Sequence, residues 1–127
     1  MSDSKPGFRT DCAVDATMSI IGGKWKPTVL CKLIVKGDMR FSELAEEIPQ
    51  VSSKVLANQL RELERDGLVF RTESAEPPVR VTYGVTERGM TLAPALAALA
   101  EWALGNLPMN MVRLDDDMRA GDAGGRD

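Results

Sequence analysis

Residues 52–69 read SSKVLANQLRELERDGLV, and how this stretch folds decides the rest of the chain. Leu56, Leu60 and Leu63 recur at i, i+4 and i+7, the period of a helix that buries one face. Another face of that helix carries Ser53, Lys54, Ala57, Asn58 and Arg61, with Glu62 and Glu64 arriving only further along. A helix that is merely solvated usually mixes Glu with Lys, so short polar, amide and cationic groups alone suit a surface that reads a nucleic-acid groove. Ser52 or Ser53 supplies the N-cap, and Asp66-Gly67 the stop.

Working outward, the chain upstream is helical. A short helix over roughly Ala13 to Ile21 ends at Gly22-Gly23, and a second begins near Pro27, a residue favoured in a first turn, and runs to about Val35. "RFSELAEEI" offers Ser42 as an N-cap for a third helix, with Leu44 and Ile48 as its apolar pair and Pro49 as its end. Downstream the apolar period drops to two. "LVFRTES" and "RVTYGV" alternate as strands, and "AEPPV" between them makes a hairpin tip that its prolines keep out of the ladder. Thr86 then caps one long final helix through "ERGMTLAPALAALAEWALGNL", so rich in Ala and Leu that it needs burial on more than one side.

Two short helices joined by a tight turn and followed by a β-hairpin form a winged helix-turn-helix, here an α+β, mainly helical fold. In such a fold the second helix enters the major groove and the hairpin touches neighbouring backbone or minor groove. The leucines of residues 52–69 then hold the helix to the domain and leave the polar face outward. Asn58 can pair with adenine and Arg61 with guanine, the Ala57 methyl can meet a thymine methyl, and Ser52 and Lys54 near the N-terminus suit phosphate.

Composition bounds this reading. The 127 residues, 43% hydrophobic and 28% charged, suffice for one domain with one core. No run is apolar enough to span a membrane and the N-terminus lacks an apolar signal region, which points to a cytoplasmic protein. Cys12 and Cys31 form no C-x-x-C pattern and there is no histidine, so neither a zinc site nor any other cofactor is expected. An enzyme finds no support either, since no phosphate loop and no paired nucleophile and base can be found. The net charge of −3 runs against nucleic-acid binding, yet residues 24–91 hold 11 basic and 10 acidic residues. The middle can therefore present a basic face if its glutamates turn elsewhere. A winged helix can also bind proteins rather than DNA, and that alternative predicts little effect of Arg61→Ala.

The stretch from Cys12 to Leu107 also resembles the HxlR family of bacterial winged helix-turn-helix regulators, related to the MarR type. "GGKW", "RFSEL", "LRELERDGL" and "YGVTERG" carry the resemblance as a set. It implies a cytoplasmic homodimer that regulates transcription, usually as a repressor, on double-stranded DNA with a roughly palindromic operator. The first and last helices would form the interface, which brings Val14, Met18, Leu92, Leu96, Leu99, Trp102 and Ala103 to it. The family usually has Cys-Pro where Cys12-Ala13 stands, often Gln at Ser53 and Thr at Ala57, and Pro-Pro-Arg where Pro78-Val79-Arg80 stands. An operator cannot be borrowed from a relative on those terms.

Other cations widen the candidate surface. Arg40 is either a phosphate contact or plain surface; Arg71 and Arg80 on the hairpin reach phosphate or minor groove unless Arg71 pairs with Glu73. Lys24 and Lys26 flank Trp25, a core aromatic, and both are placed near backbone phosphate. Cys12, just before the first helix, sits where backbone N–H groups favour thiolate, although Asp11 and Asp15 oppose it. In several family members a matching cysteine senses oxidants or electrophiles, which makes an oxidant or other small effector a partner to consider; Cys31 reads as an inert core thiol. Residues 1–11 are expected as a flexible arm, 12–108 as the domain and 109–127 as an acidic, Gly-rich tail with no fold of its own.

Overall fold

The computed structural model describes residues 11–108, 110 and 111. The expected arm and tail therefore lie, apart from Asp11 and residues 110–111, outside the described residues. In chain order the elements are α1 (Ala13–Ile21), α2 (Lys26–Lys36), β1 (Met39–Arg40), α3 (Phe41–Glu47), α4 (Ser53–Arg65), β2 (Val69–Glu73), β3 (Val81–Val85), α5 (Glu87–Met90) and α6 (Ala93–Asn106). The sheet is antiparallel throughout in the order β1-β3-β2. This is the mainly helical winged helix-turn-helix anticipated from the sequence.

The core forms where α2 meets both helices of the turn. Val29, Leu30 and Leu33 of α2 pack with Leu44 and Ile48, with Leu56, Leu60 and Leu63 of α4, and with Leu68 and Val69 at the root of the hairpin. The α4 leucines are 0, 1 and 0% exposed, so each contributes about 1.5–3 kcal/mol by leaving water. Asp66 closes α4, and Gly67 takes φ +78°, a conformation that β-carbon-bearing residues rarely adopt. The turn sends the chain straight into β2, whose register with β3 runs from Val69 opposite Val85 to Glu73 opposite Val81.

Three expectations need correction. The cap of α3 is Arg40 rather than Ser42: the helix starts one residue before Ser42, and the Glu43 carboxylate accepts from the Arg40 backbone N–H at 2.9 Å. Met39 and Arg40 add a third strand, pairing with Tyr83 and Thr82; two residues are too few to show a period. The final helix is two, α5 and α6, with a break at Thr91-Leu92. Pro94 causes it, because proline offers no N–H and its ring would strike the carbonyl of Met90, the last residue of α5. The break lets Leu96 turn into the core, where it is buried against α2 rather than free for a partner.

Gly89 of α5 is where that junction rests on the sheet. A Cβ there would lie 2.3 Å from the Leu68 carbonyl oxygen and 2.6 Å from the Val85 side chain. Gly89→Ala is expected to destabilise the protein by about 1–3 kcal/mol, whereas Gly105→Ala, where a Cβ meets nothing within 4 Å, should stabilise it by about 0.5–1 kcal/mol. Urea unfolding of the two variants beside the parent checks both signs.

Candidate nucleic-acid interface

The candidate interface is built on α4. Ser52 caps it, its Oγ accepting from the Val55 N–H at 3.1 Å, which resolves the choice between the two serines and leaves Ser53 inside the first turn. With the leucine stripe buried, Ser53, Lys54, Asn58 and Arg61 stand exposed on the opposite side and Ala57 is half-buried between them. Arg61 donates from Nη1 to the Asn58 side-chain oxygen one turn back. The two residues therefore act as a unit: the guanidinium is steered along the helix, and the Asn58 oxygen is already engaged while its NH₂ group can still donate. Their i, i+3 spacing was legible in the sequence, but the pairing was not drawn from it.

The hairpin supplies a second cationic point. Ser74 ties its tip: the Arg80 N–H donates to Ser74 Oγ at 2.9 Å, the Ser74 N–H to the Arg80 carbonyl at 2.9 Å, and the hydroxyl lies 3.3 Å from the Pro78 carbonyl. Arg80 is exposed at the end of that clasp, and Ser74 as its organiser was missed in the sequence. Arg40, exposed at the cap of α3, pairs across the sheet with Thr82 and so stands two register positions from Arg80. Arg71 is committed elsewhere, as its alternative reading allowed. It bonds to Tyr83, its partner across the sheet, and to Glu73 at 3.0 Å, and both hold its guanidinium more firmly charged than usual. Lys24 is exposed, its ammonium 5.2 Å from the centre of the Trp25 ring.

Lys26 corrects the expectation of a phosphate contact. Its side chain is 9% exposed and its ammonium lies 2.6 Å from the Glu62 carboxylate of α4. Lys32, also buried, reaches Glu47 of α3 at 3.2 Å, and Lys36 reaches the same carboxylate at 3.1 Å. These pairs turn Glu47 and Glu62 toward the scaffold, away from the exposed Lys54 and Arg61 of α4. Cys12 is exposed at the N-cap of α1, and Cys31 is half-buried, with burial pushing its thiol pKa up. Val14, Met18, Leu99 and Trp102 are exposed on α1 and α6, Leu92 and Ala103 are partly covered, and Leu96 belongs to the core. An open cavity of about 180 Å³ lies between α1 and the α5–α6 junction, lined in part by Thr17, Ile20, Arg88 and Leu92.

A helix pair with an outward cationic second helix and a clasped hairpin defines a winged helix-turn-helix protein. The chain belongs to the HxlR-like helix-turn-helix family, whose model matches residues 20–111, and it is a transcriptional regulator of the helix-turn-helix type. An uncharacterized HTH-type transcriptional regulator of Methanothermobacter thermautotrophicus is 46% identical over 91 residues, 72% of this chain and 69% of that one. Among solved structures, the redox regulator HypR in its reduced form superposes with a TM-score of 0.73 at 37% identity, covering 79% of this chain and 98% of HypR. The reduced form of the transcriptional regulator YodB from Bacillus subtilis gives 0.70 at 32% identity, covering 80% and 98%. No helix among the described residues is long and apolar enough to cross a membrane.

The Glu47 cluster sets a pH dependence for the helix pair. Hydrogen bonding to Lys36 first, and then the Lys32 interactions, hold its carboxyl below the ordinary value of 4.5 against the opposing effect of burial. A depressed folded-state pKa adds stability that is present above the unfolded value and lost as pH falls through the folded one. Glu47→Gln should therefore be less stable than the parent by about 1 kcal/mol at pH 7, and the gap should close as the pH is lowered through 4.5. Urea unfolding at pH 7, 5 and 3.5 reads the trend.

Proposed function

We propose that this protein is a sequence-specific DNA-binding regulator that works as a homodimer, acting as a repressor when it occupies its operator. The observation that carries the reading is the exposed α4 face, with Ser53, Lys54, Asn58 and Arg61 outward and the three leucines behind them fully buried. Arg61 offers guanine a fork of donors, Lys54 and the helix N-terminus offer phosphate a positive charge, and Arg40, Arg80 and Lys24 extend that charge along the backbone. The exposed apolar side chains of α1 and α6, Leu99 at 54% and Trp102 at 59% among them, support a second copy on that side. Two copies would bring their α4 helices to successive major grooves about 34–36 Å apart, matched by an inverted repeat.

Selection of bound duplexes from a random pool, followed by anisotropy over a salt series, tests this. An inverted repeat should emerge with steeply salt-dependent affinity, and Arg61→Ala should cost about 1–3 kcal/mol and relax one position of each half-site. No enrichment from a folded dimer would favour a protein-binding winged helix instead.

A redox response through Cys12 belongs to the same reading, supported by the exposure of this thiol at the N-cap of α1 and by the likeness to HypR, solved in reduced and oxidised forms. Diamide should lower the affinity of the parent for the selected duplex and leave Cys12→Ser unchanged, with Cys31 reacting more slowly. A parent indifferent to diamide contradicts the response.

A further inference from the structure

Lys26 opens α2, where the unsatisfied N–H groups of a helix present a positive end. A lysine gains nothing electrostatically there, and burial of its side chain adds a desolvation cost. What answers both is the Glu62 carboxylate at 2.6 Å, itself 42% exposed. Glu62 follows Arg61 directly and stands one turn beyond Asn58, so the pair is anchored to the part of α4 on which the reading chemistry sits. Lys32, six residues along α2, is buried in the same way against Glu47 of α3. Each helix of the turn is thus held by one buried lysine of α2.

Stability alone is a poor explanation for such pairs, since well-packed apolar residues of similar volume usually hold a fold as well or better. Direction is what an ion pair adds. The contacts of Leu56, Leu60 and Leu63 are non-directional and tolerate small rotations of α4 at nearly constant buried area, whereas a short N–H···O contact fixes one side of the helix. We propose that Lys26 is a positioning residue: through Glu62 it sets the rotation of α4 about its axis, and with it the direction in which Asn58 and Arg61 meet base edges. This rests on the DNA-binding reading above. It also makes Lys26 a determinant of specificity while it touches no nucleic acid.

The pair is neutral as a whole, which makes a clean test available. Lys26→Met/Glu62→Leu in the full chain conserves net charge and should unfold at or above the parent temperature. The ratio of its affinities for the selected duplex and a scrambled one should fall at least about tenfold, while the salt dependence, set by phosphate contacts, stays that of the parent. The reversed pair, Lys26→Glu/Glu62→Lys, should recover most of the ratio. In the free protein, residual dipolar couplings of the α4 amides relative to α2 should change in the apolar variant and return in the reversed one, with α3 unmoved. An unchanged ratio together with unchanged couplings overturns the proposal. So does an apolar variant that fails to fold while Lys26→Met alone keeps the parent couplings, since the pair would then serve stability. If the parent itself selects no duplex, the DNA-binding reading fails, and the couplings by themselves decide whether Lys26 orients α4.

Discussion

Everything on the outside of this molecule depends on the burial of three leucines. Leu56, Leu60 and Leu63 occupy one stripe of α4, and their contacts with α2 and the root of the hairpin leave the helix a single face to turn inward. Once that face is taken, helical geometry puts Ser53, Lys54, Asn58 and Arg61 on the outward side, and the Lys26–Glu62 contact bears on the finer rotation of the helix. The same packing places Gly67 at the end of α4 and so brings β2 and β3 beside the helix. A wing and a helix with an outward polar face are consequences of one core.

Charge is the second constraint. The chain is acidic overall, yet Glu47 and Glu62 are spent on Lys32, Lys36 and Lys26, and Glu73 on Arg71. These contacts engage four cations and three carboxylates, since Glu47 serves two lysines, so they do not make the remainder more basic and their effect is on distribution. They turn Glu47 and Glu62 toward α2, while Arg40, Lys54, Arg61 and Arg80 face solvent. Net charge predicts solubility better than it predicts what a surface binds.

Much of this was legible in the sequence because it rests on period and punctuation. The spacing of the leucines, the serines at the start of α4, Asp66-Gly67 after it, and the alternation around "VFRTE" and "VTYGV" are local signals, and the elements formed where those signals lie. What escaped depends on contacts between segments. Lys26 looks like a surface cation until α4 is packed against α2, for its partner is 36 residues away in sequence. The β1 strand needs β3 beside it to exist at all. Leu96 reads as one more residue of an apolar helix until Pro94 divides that helix and turns it inward. Within the candidate interface, residue types could be named from sequence, but the steering of Arg61 by Asn58 and the Ser74 clasp required coordinates.

The proposed DNA contact is made by the Ser53, Lys54, Asn58, Arg61 face that the leucine stripe turns outward. It is tested most directly by following the side-chain resonances of Asn58 (NH₂) and Arg61 (Nε–H) in isotope-labelled protein as a selected duplex is added. These two and the backbone amides of residues 52–61 should shift together and saturate with the duplex, while Val29 and Leu30 in the core stay in place. Shifts confined to α1 and α6, with Asn58 and Arg61 unmoved at saturation, would contradict it.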